Sequence, residues 1–170
     1  ALAAEVARRY AIPHVYHDHR ELLENEKVDA IIAIQPYQVH GRLMPELLGY
    51  GAPVLIEKPL ARSVEAAEAI VATAGSDQLF IGYHKRSDPA VEWALEKIAA
   101  WRSSRKFGRM KYVRMTMPPG DWAAAGFSRR IETDEPYPKL EFDPAPAGMS
   151  ADAAGAYDAF VNYYIHQVNL

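Results

Sequence analysis

The sequence of 170 residues contains no cysteine, which excludes disulfides, thiolate metal ligands and cysteine nucleophiles. It also lacks an excess of positive charge, because 19 Lys and Arg residues stand against 22 Asp and Glu residues. A phosphate backbone therefore has little to attract it, and no nucleic-acid partner is expected. The longest apolar run, residues 30–34, is far shorter than the roughly 18 residues that a bilayer span requires, so no membrane partner is expected either.

Several catalytic and binding signatures are missing as well. There is no glycine-rich phosphate-binding loop and no serine hydrolase turn. His14, His17 and His19 are close in sequence, but their spacing matches no closed metal site, so we interpret them as part of a solvated loop and expect no metal. What remains is a chain that is 49% hydrophobic and 24% charged, the composition of an ordinary globular protein.

Short apolar runs alternate with helical patterns over the first half of the chain. Residues 28–34 are apolar at nearly every position, which predicts a parallel strand covered on both faces. Residues 53–57 and 79–83 predict two more short strands, and Ser63 is a plausible N-cap for the helix between them. Alternating strands and helices predict an α/β fold with a doubly wound parallel sheet.

The pattern changes after Tyr83. Asp88 followed by a proline predicts a helix start, and residues 113–117 alternate apolar and polar side chains, which predicts a strand with one solvated face. Residues 118–149 show no periodicity, and Ser150 is predicted to cap a last helix. We therefore expect one domain over residues 1–86 and the start of a second, open-sheet α/β domain over residues 87–170.

The last helix carries a polar stripe. At 100° per residue, Asp158, Asn162, His166 and Asn169 fall within about an 80° arc. One interpretation makes His166 a proton-transfer group that Asn162, one turn earlier, orients. The alternative is a solvated helix face with an ordinary surface histidine.

The tripeptide Glu57-Lys58-Pro59 follows a predicted buried strand. Ligands of open parallel sheets bind outside the carboxyl ends of the strands. A lysine there can polarise a substrate oxygen, and the alternative is a surface lysine in a turn.

Other candidate binding residues are less distinctive. Gln35 and Pro36 lie at the matching end of the preceding strand, and His40 follows them as either a binding residue or a packing or capping histidine. Trp122, in the long segment without periodicity, could form an apolar wall over a ligand or could be an incidental loop aromatic.

Three segments together resemble a known family. Residues 28–36, His40 and residues 54–61 are similar to the nucleotide-binding domain of the glucose–fructose oxidoreductase, inositol dehydrogenase and MocA (Gfo/Idh/MocA) family. Residues 82–89 resemble the segment where that family's chain enters its second domain. Ile165-His166, with Asn169, resembles the helix that carries the family's catalytic histidine.

The resemblance implies part of a Rossmann domain that holds NAD or NADP, and reversible hydride transfer at a hydroxyl carbon of a sugar, polyol or related small molecule. It implies that His166 exchanges the proton and that Lys58 reaches both substrate and nicotinamide. Asn162 and Trp122 complete the expected substrate contacts. The expected coenzyme contacts are those with Gln35, Pro36, His40, Glu57, Lys58, Pro59 and Arg86.

The sequence departs from the family in two respects. Asn162 and Asn169 stand where relatives often have aspartates, so neither supplies negative charge to His166. The family's first strand, its glycine-rich turn and an acidic ribose-binding residue are expected before Ala1, and more of the second domain after Leu170, so we expect the chain to be part of a longer, cytoplasmic, homo-oligomeric enzyme. Two alternatives stay open: an NAD-retaining sugar lyase or hydrolase on the same scaffold, and a non-catalytic binding or regulatory relative.

Overall fold

The computed structural model describes residues 2–116 and 131–169, apart from the side chain of Gln167. The chain divides into two units, Ala1–Asp29 with Pro118–Leu140, and Ala30–Met117 with Glu141–Leu170. Over the residues that are described, no helix combines the length and the apolar character needed to cross a membrane.

The described residues of the first unit form two helices, α1 (Leu2–Tyr10) and α2 (His19–Asn25). The Asp18 carboxylate accepts a hydrogen bond from the Arg20 backbone N–H at 2.7 Å. This satisfies one of the amides that a helix start leaves without a partner.

A three-stranded parallel sheet organises the second unit. Its strands are β1 (Ile31–Ala33), β2 (Val54–Ile56) and β3 (Leu79–Ile81), in the order β1-β2-β3. The register pairs Ala33 with Ile56 and Ile56 with Ile81, so all three carboxyl ends lie at the same edge. The three predicted strands and their parallel arrangement are confirmed.

Two helices connect these strands, α3 (His40–Gly49) after a 3₁₀ turn at Tyr37–Val39, and α4 (Val64–Thr73). Right-handed crossovers, the hand of nearly all such units, place both helices on one side of a sheet with this strand order. In agreement, α3 and α4 pack against each other. The core between helices and sheet includes Met44, Leu47, Val54, Ile56 and Ile70.

The prediction that the first strand is covered on both faces is wrong. Ile32, Leu55 and Phe80 lie side by side in the register and are 71%, 41% and 50% exposed. Successive strand residues point to opposite faces, so the same strands bury Ala33 and Ile56 against the helices. A continuous apolar run in the sequence therefore does not show which face is covered.

Two further helices begin where the sequence predicts them. These are α5 (Pro89–Ser104) and α6 (Ala151–Asn169). The side-chain oxygens of Ser63, Asp88 and Ser150 each accept a backbone N–H of the following first turn, at 3.2, 2.8 and 3.2 Å. Each cap replaces the water that would otherwise bind these amides.

The predicted strand at residues 113–117 is not found. Residues 113–116 have no regular secondary structure, and Met117 lies outside the described residues. Alternating side chains favour a strand only where a neighbouring strand pairs with its backbone. The domain boundary after residue 86 stays a prediction; it falls within the 3₁₀ turn His84–Ser87 that joins β3 to α5.

Asp143 completes the start of α3 from a distant part of the sequence. Its carboxylate accepts the Gly41 backbone N–H at 2.7 Å and the Arg42 Nε–H at 3.2 Å. Its own backbone N–H donates to the Gln38 carbonyl at 2.6 Å. A Cβ on Gly41 would lie 2.9 Å from the Asp143 carboxylate, which is too close, so this cap requires glycine.

His40 joins the ends of two strands. Its ring is fully buried, with Nε2 3.0 Å from the Gln35 carbonyl beyond β1. On the other side, Nδ1 lies 3.1 Å from the carbonyls of both Pro59 and Leu60, beyond β2. A single buried imidazole thus fixes the spacing between the two segments, an arrangement that we call the His40 clamp.

Replacing the clamp should destabilise the fold. His40→Ala leaves a cavity and buried carbonyls without their partner, and we expect a loss of about 2–4 kcal/mol in the free energy of unfolding. Urea denaturation measures it. His17→Ala, which removes an exposed ring, is the matched control and should change the free energy by less than about 0.5 kcal/mol. Equal effects of the two substitutions would refute the role of the clamp.

Candidate active site

Polar residues gather at the carboxyl edge of the sheet. Gln35 follows β1, Lys58 follows β2 and His84 follows β3. In open parallel sheets this edge is where ligands bind. The polar stripe of α6 lies along the same edge, because the contacts described below connect its members to the segments that follow these strands.

Lys58 is joined to the middle of α6. Its Nζ donates to the Asn162 carbonyl oxygen at 2.7 Å, and its backbone N–H donates to the Glu57 carboxylate at 3.1 Å. Partial burial lowers the pKa of Lys58, and the negative charge of Glu57 opposes that effect. The lysine is therefore a positive group held at the helix and not a free surface side chain.

His166 lies one helical turn beyond that contact. Its Nδ1 is buried and has no hydrogen-bond partner among the described residues. Buried polar atoms are nearly always paired, so this nitrogen is suited to a group that is not part of the described chain. The ring meets that of His84 edge to face, with centroids 4.9 Å apart and an interplanar angle of 70°.

The surroundings keep His166 neutral. Burial lowers the pKa of its ring, and the electrostatic effects of Lys58, His84 and Lys85 lower it further. Glu57 acts in the opposite direction and is the weakest of these influences. A neutral imidazole at neutral pH can accept a proton, which a protonated ring cannot.

The two asparagines contact this edge through their backbone carbonyls. Asn162 binds Lys58 through its backbone carbonyl, its side chain is exposed, and in the described part of the chain that side chain forms no hydrogen bond with His166. The carbonyl of Asn169 lies 3.3 Å from the Arg86 guanidinium. The orienting role of the Asn162 amide stays a prediction.

Two expected coenzyme residues are positioned by the clamp. Gln35 presents its carbonyl to His40, and Pro59 is buried with its carbonyl on the same ring. Any role of His40 towards a coenzyme would act through these segments, since both ring nitrogens already face the backbone. Pro36 starts the 3₁₀ turn before α3, half-buried.

The remaining expectations concern the long loop and the histidines near the start of the chain. Trp122 lies outside the described residues. His14 contacts the carboxylate of Glu26. No group of three or more histidines and carboxylates within the described ranges could hold a metal ion.

Sequence reasoning missed three residues that the structure brings to this edge. The Arg62 guanidinium pairs with the Asp158 carboxylate of α6, and the Tyr37 hydroxyl donates to the same carboxylate. His84 is the third. The sequence contains two features that could have indicated these residues. Arg62 follows Lys58 by four residues, the same spacing that separates Asp158 from Asn162. His84 directly follows the predicted strand at residues 79–83.

The sequence comparison with known families agrees with this geometry. Residues 1–83 match the Gfo/Idh/MocA family, described as an oxidoreductase family with an NAD-binding Rossmann fold. Over these residues the chain is similar to the Gfo/Idh/MocA family. The match covers all three strands and both clamp segments.

Characterised relatives of this family segment are dehydrogenases. The chain is 34% identical over 100 residues to 4-carboxy-2-hydroxymuconate-6-semialdehyde dehydrogenase of Sphingobium sp., an alignment that covers 58% of this chain and 32% of that protein. It is 33% identical over 102 residues to scyllo-inositol 2-dehydrogenase (NAD(+)) of Bacillus subtilis, covering 58% of this chain and 29% of that protein. The chain thus spans about a third of the length of these two relatives.

Solved structures support the fold. An NAD binding oxidoreductase from Klebsiella pneumoniae superposes with a TM-score of 0.52 and 25% sequence identity, over 58% of this chain and 27% of that protein. The Rossmann-type parallel sheet predicted from the sequence is confirmed.

The charge of Lys58 should be detectable in the titration of His166. A nearby cation disfavours imidazolium, so Lys58→Met should raise the pKa of His166 towards its ordinary value. NMR titration of the ring in the 170-residue chain measures this. Lys97→Met is the matched control, because Lys97 lies over Trp93 on α5 and should leave the His166 titration unchanged. A His166 pKa that stays constant or falls in Lys58→Met would contradict the proximity of the two charges.

Proposed function

We propose that this chain forms part of the active site of an NAD(P)-dependent oxidoreductase that transfers hydride to or from a hydroxyl carbon of a sugar, polyol or related small molecule. One observation carries the proposal. A positive lysine and a neutral histidine with an unpaired buried nitrogen share the carboxyl edge of a parallel sheet from an NAD-binding family. The polyol named for the Bacillus subtilis relative, scyllo-inositol, supports chemistry at a hydroxyl carbon.

The described residues fit the nicotinamide end of the coenzyme better than its pyrophosphate end. Lys58, His84 and the His166 Nδ1 without a partner provide polar groups at the strand ends. In contrast, the sequence contains no Gly-x-Gly-x-x-Gly, whose backbone amides normally hold the pyrophosphate. When bound, NAD or NADP supplies the hydride acceptor or donor.

The reaction requires the hydroxyl proton to leave as the hydride leaves its carbon. In the oxidation direction, the neutral imidazole of His166 accepts this proton, and in reduction it returns it. The Lys58 ammonium stabilises the negative charge that develops on the substrate oxygen. The lowered pKa of His166 suits the oxidation direction, because it keeps the base unprotonated over a wider pH range.

Coenzyme binding by the 170-residue chain should be weak. Without the glycine-rich helix start, the pyrophosphate has no dedicated backbone amides, and most of the usual affinity is lost. Calorimetric titration with NADH and NADPH measures the affinity. Micromolar or tighter binding would mean that another part of this chain holds the pyrophosphate.

The catalytic assignment is tested in the enzyme that contains this chain. Lys58→Ala and His166→Ala should each lower kcat by about 10²–10⁴-fold while changing coenzyme affinity much less, because both act on the reacting hydroxyl group. The assay follows the absorbance of reduced nicotinamide with a panel of polyols and sugars.

Glu141→Gln is a suitable control, since Glu141 forms an exposed ion pair with Arg42 and should leave kcat unchanged. A variant at Lys58 or His166 with unchanged kcat would remove that residue from the mechanism. Turnover without stoichiometric release of reduced coenzyme would instead identify an NAD-retaining lyase or hydrolase, and ligand binding without turnover would identify a non-catalytic relative.

A further inference from the structure

The most tightly connected ion pair of α6 involves residues that the proposed reaction does not use. Arg62 binds the Asp158 carboxylate through two nitrogens, Nε to Oδ1 at 3.1 Å and Nη2 to Oδ2 at 2.6 Å. The Tyr37 hydroxyl donates to Oδ1 at 2.8 Å. The side chains of Arg62 and Asp158 are only 12% and 20% exposed. Paired, forked contacts of this kind are stronger and more directional than single surface ion pairs.

The neighbours of this pair extend the connection. The Tyr157 hydroxyl donates to the Arg62 carbonyl at 3.0 Å, and Arg62 Nη1 donates to the Asp143 carbonyl. Arg62 is therefore held on both its main chain and its side chain. It forms a rigid partner for the helix.

The position of the pair relative to the site is informative. Arg62 lies four residues after Lys58, and Asp158 lies four residues before Asn162. The segment after β2 therefore holds α6 at two points, Arg62 at Asp158 and Lys58 at the Asn162 carbonyl. The two points are one helical turn, about 6 Å, apart. A helix held at two points on the same face can neither rotate nor slide along the segment.

We propose that Asp158 is a positioning residue that, together with Arg62 and Tyr37, fixes the rotation and register of α6 and so holds His166 beside Lys58 and His84. Its consequence for catalysis rests on the proposed function. The positioning itself is a property of the fold and can be tested without turnover.

The pKa of His166 distinguishes positioning from simple electrostatics. The charged and titratable groups that act on His166 are Lys58, His84, Lys85 and Glu57. Asp158 is eight residues away along the helix, about 12 Å, and its negative charge is compensated by the Arg62 guanidinium that it binds.

The two mechanisms predict opposite signs for Asp158→Asn. Removing a negative charge, if it acted directly, would lower the pKa of His166. Loosening α6 would expose the ring and move it away from the positive groups, so the pKa would rise towards its ordinary value. We expect the rise.

The experiment uses Asp158→Asn and Tyr37→Phe in the 170-residue chain, with NMR titration of His166 and hydrogen exchange of the α6 amides. Both variants should raise the pKa, Tyr37→Phe by less because it removes only one hydrogen bond. In Asp158→Asn the amides of α6 should exchange about tenfold faster, as expected for the loss of a charge-assisted hydrogen bond. Glu141→Gln, which breaks an exposed ion pair of the same unit, should change neither quantity.

A folded Asp158→Asn variant with a constant or lowered His166 pKa would overturn the proposal, and so would the same shift in Glu141→Gln. If circular dichroism shows that Asp158→Asn does not fold, Tyr37→Phe decides by the same criterion. A raised pKa in the 170-residue chain, together with the absence of dehydrogenase turnover in the enzyme that contains it, would reject the proposed function and leave the positioning role intact.

Discussion

The site depends first on the His40 clamp. Two strand ends carry the groups of interest, and a fully buried imidazole sets their spacing through the carbonyls of Gln35, Pro59 and Leu60. Lys58 directly precedes one of these segments, so the clamp fixes the position of its backbone independently of the contacts that its side chain makes. A parallel sheet brings strand ends to the same edge, and the clamp makes that edge rigid.

Most of the groups at this rigid edge shift the pKa of His166 in the same direction. Lys58, His84 and Lys85 all favour the neutral form of His166, and Glu57 only partly opposes them. The neighbouring polar positions on α6, Asn162 and Asn169, carry amides and not carboxylates. The positive surroundings therefore act on the ring without an adjacent carboxylate on its own helix, which adapts it to accept protons rather than to retain them.

Local features of the sequence predicted the local features of the structure. Capping residues such as Ser63 and Ser150 act within one turn, so their helices could be located from the sequence, and the polar stripe of α6 follows from helical periodicity alone. Long-range features could not be predicted this way. The Arg62–Asp158 pair joins residues 96 positions apart, and the exposure of Ile32 depends on which face of the sheet the connecting helices cover. The strand expected near Val113 fails for the same reason, because it required a pairing partner that periodicity cannot supply.

The Asp143 cap affects the order in which parts of the chain can fold during synthesis. Gly41 emerges from the ribosome 102 residues before the carboxylate that binds its backbone amide. Until then, water must occupy the start of α3, although the strands on either side of it are already complete. The three strands are therefore synthesised before the start of α3 is capped, and the cap forms only once Asp143 has been synthesised.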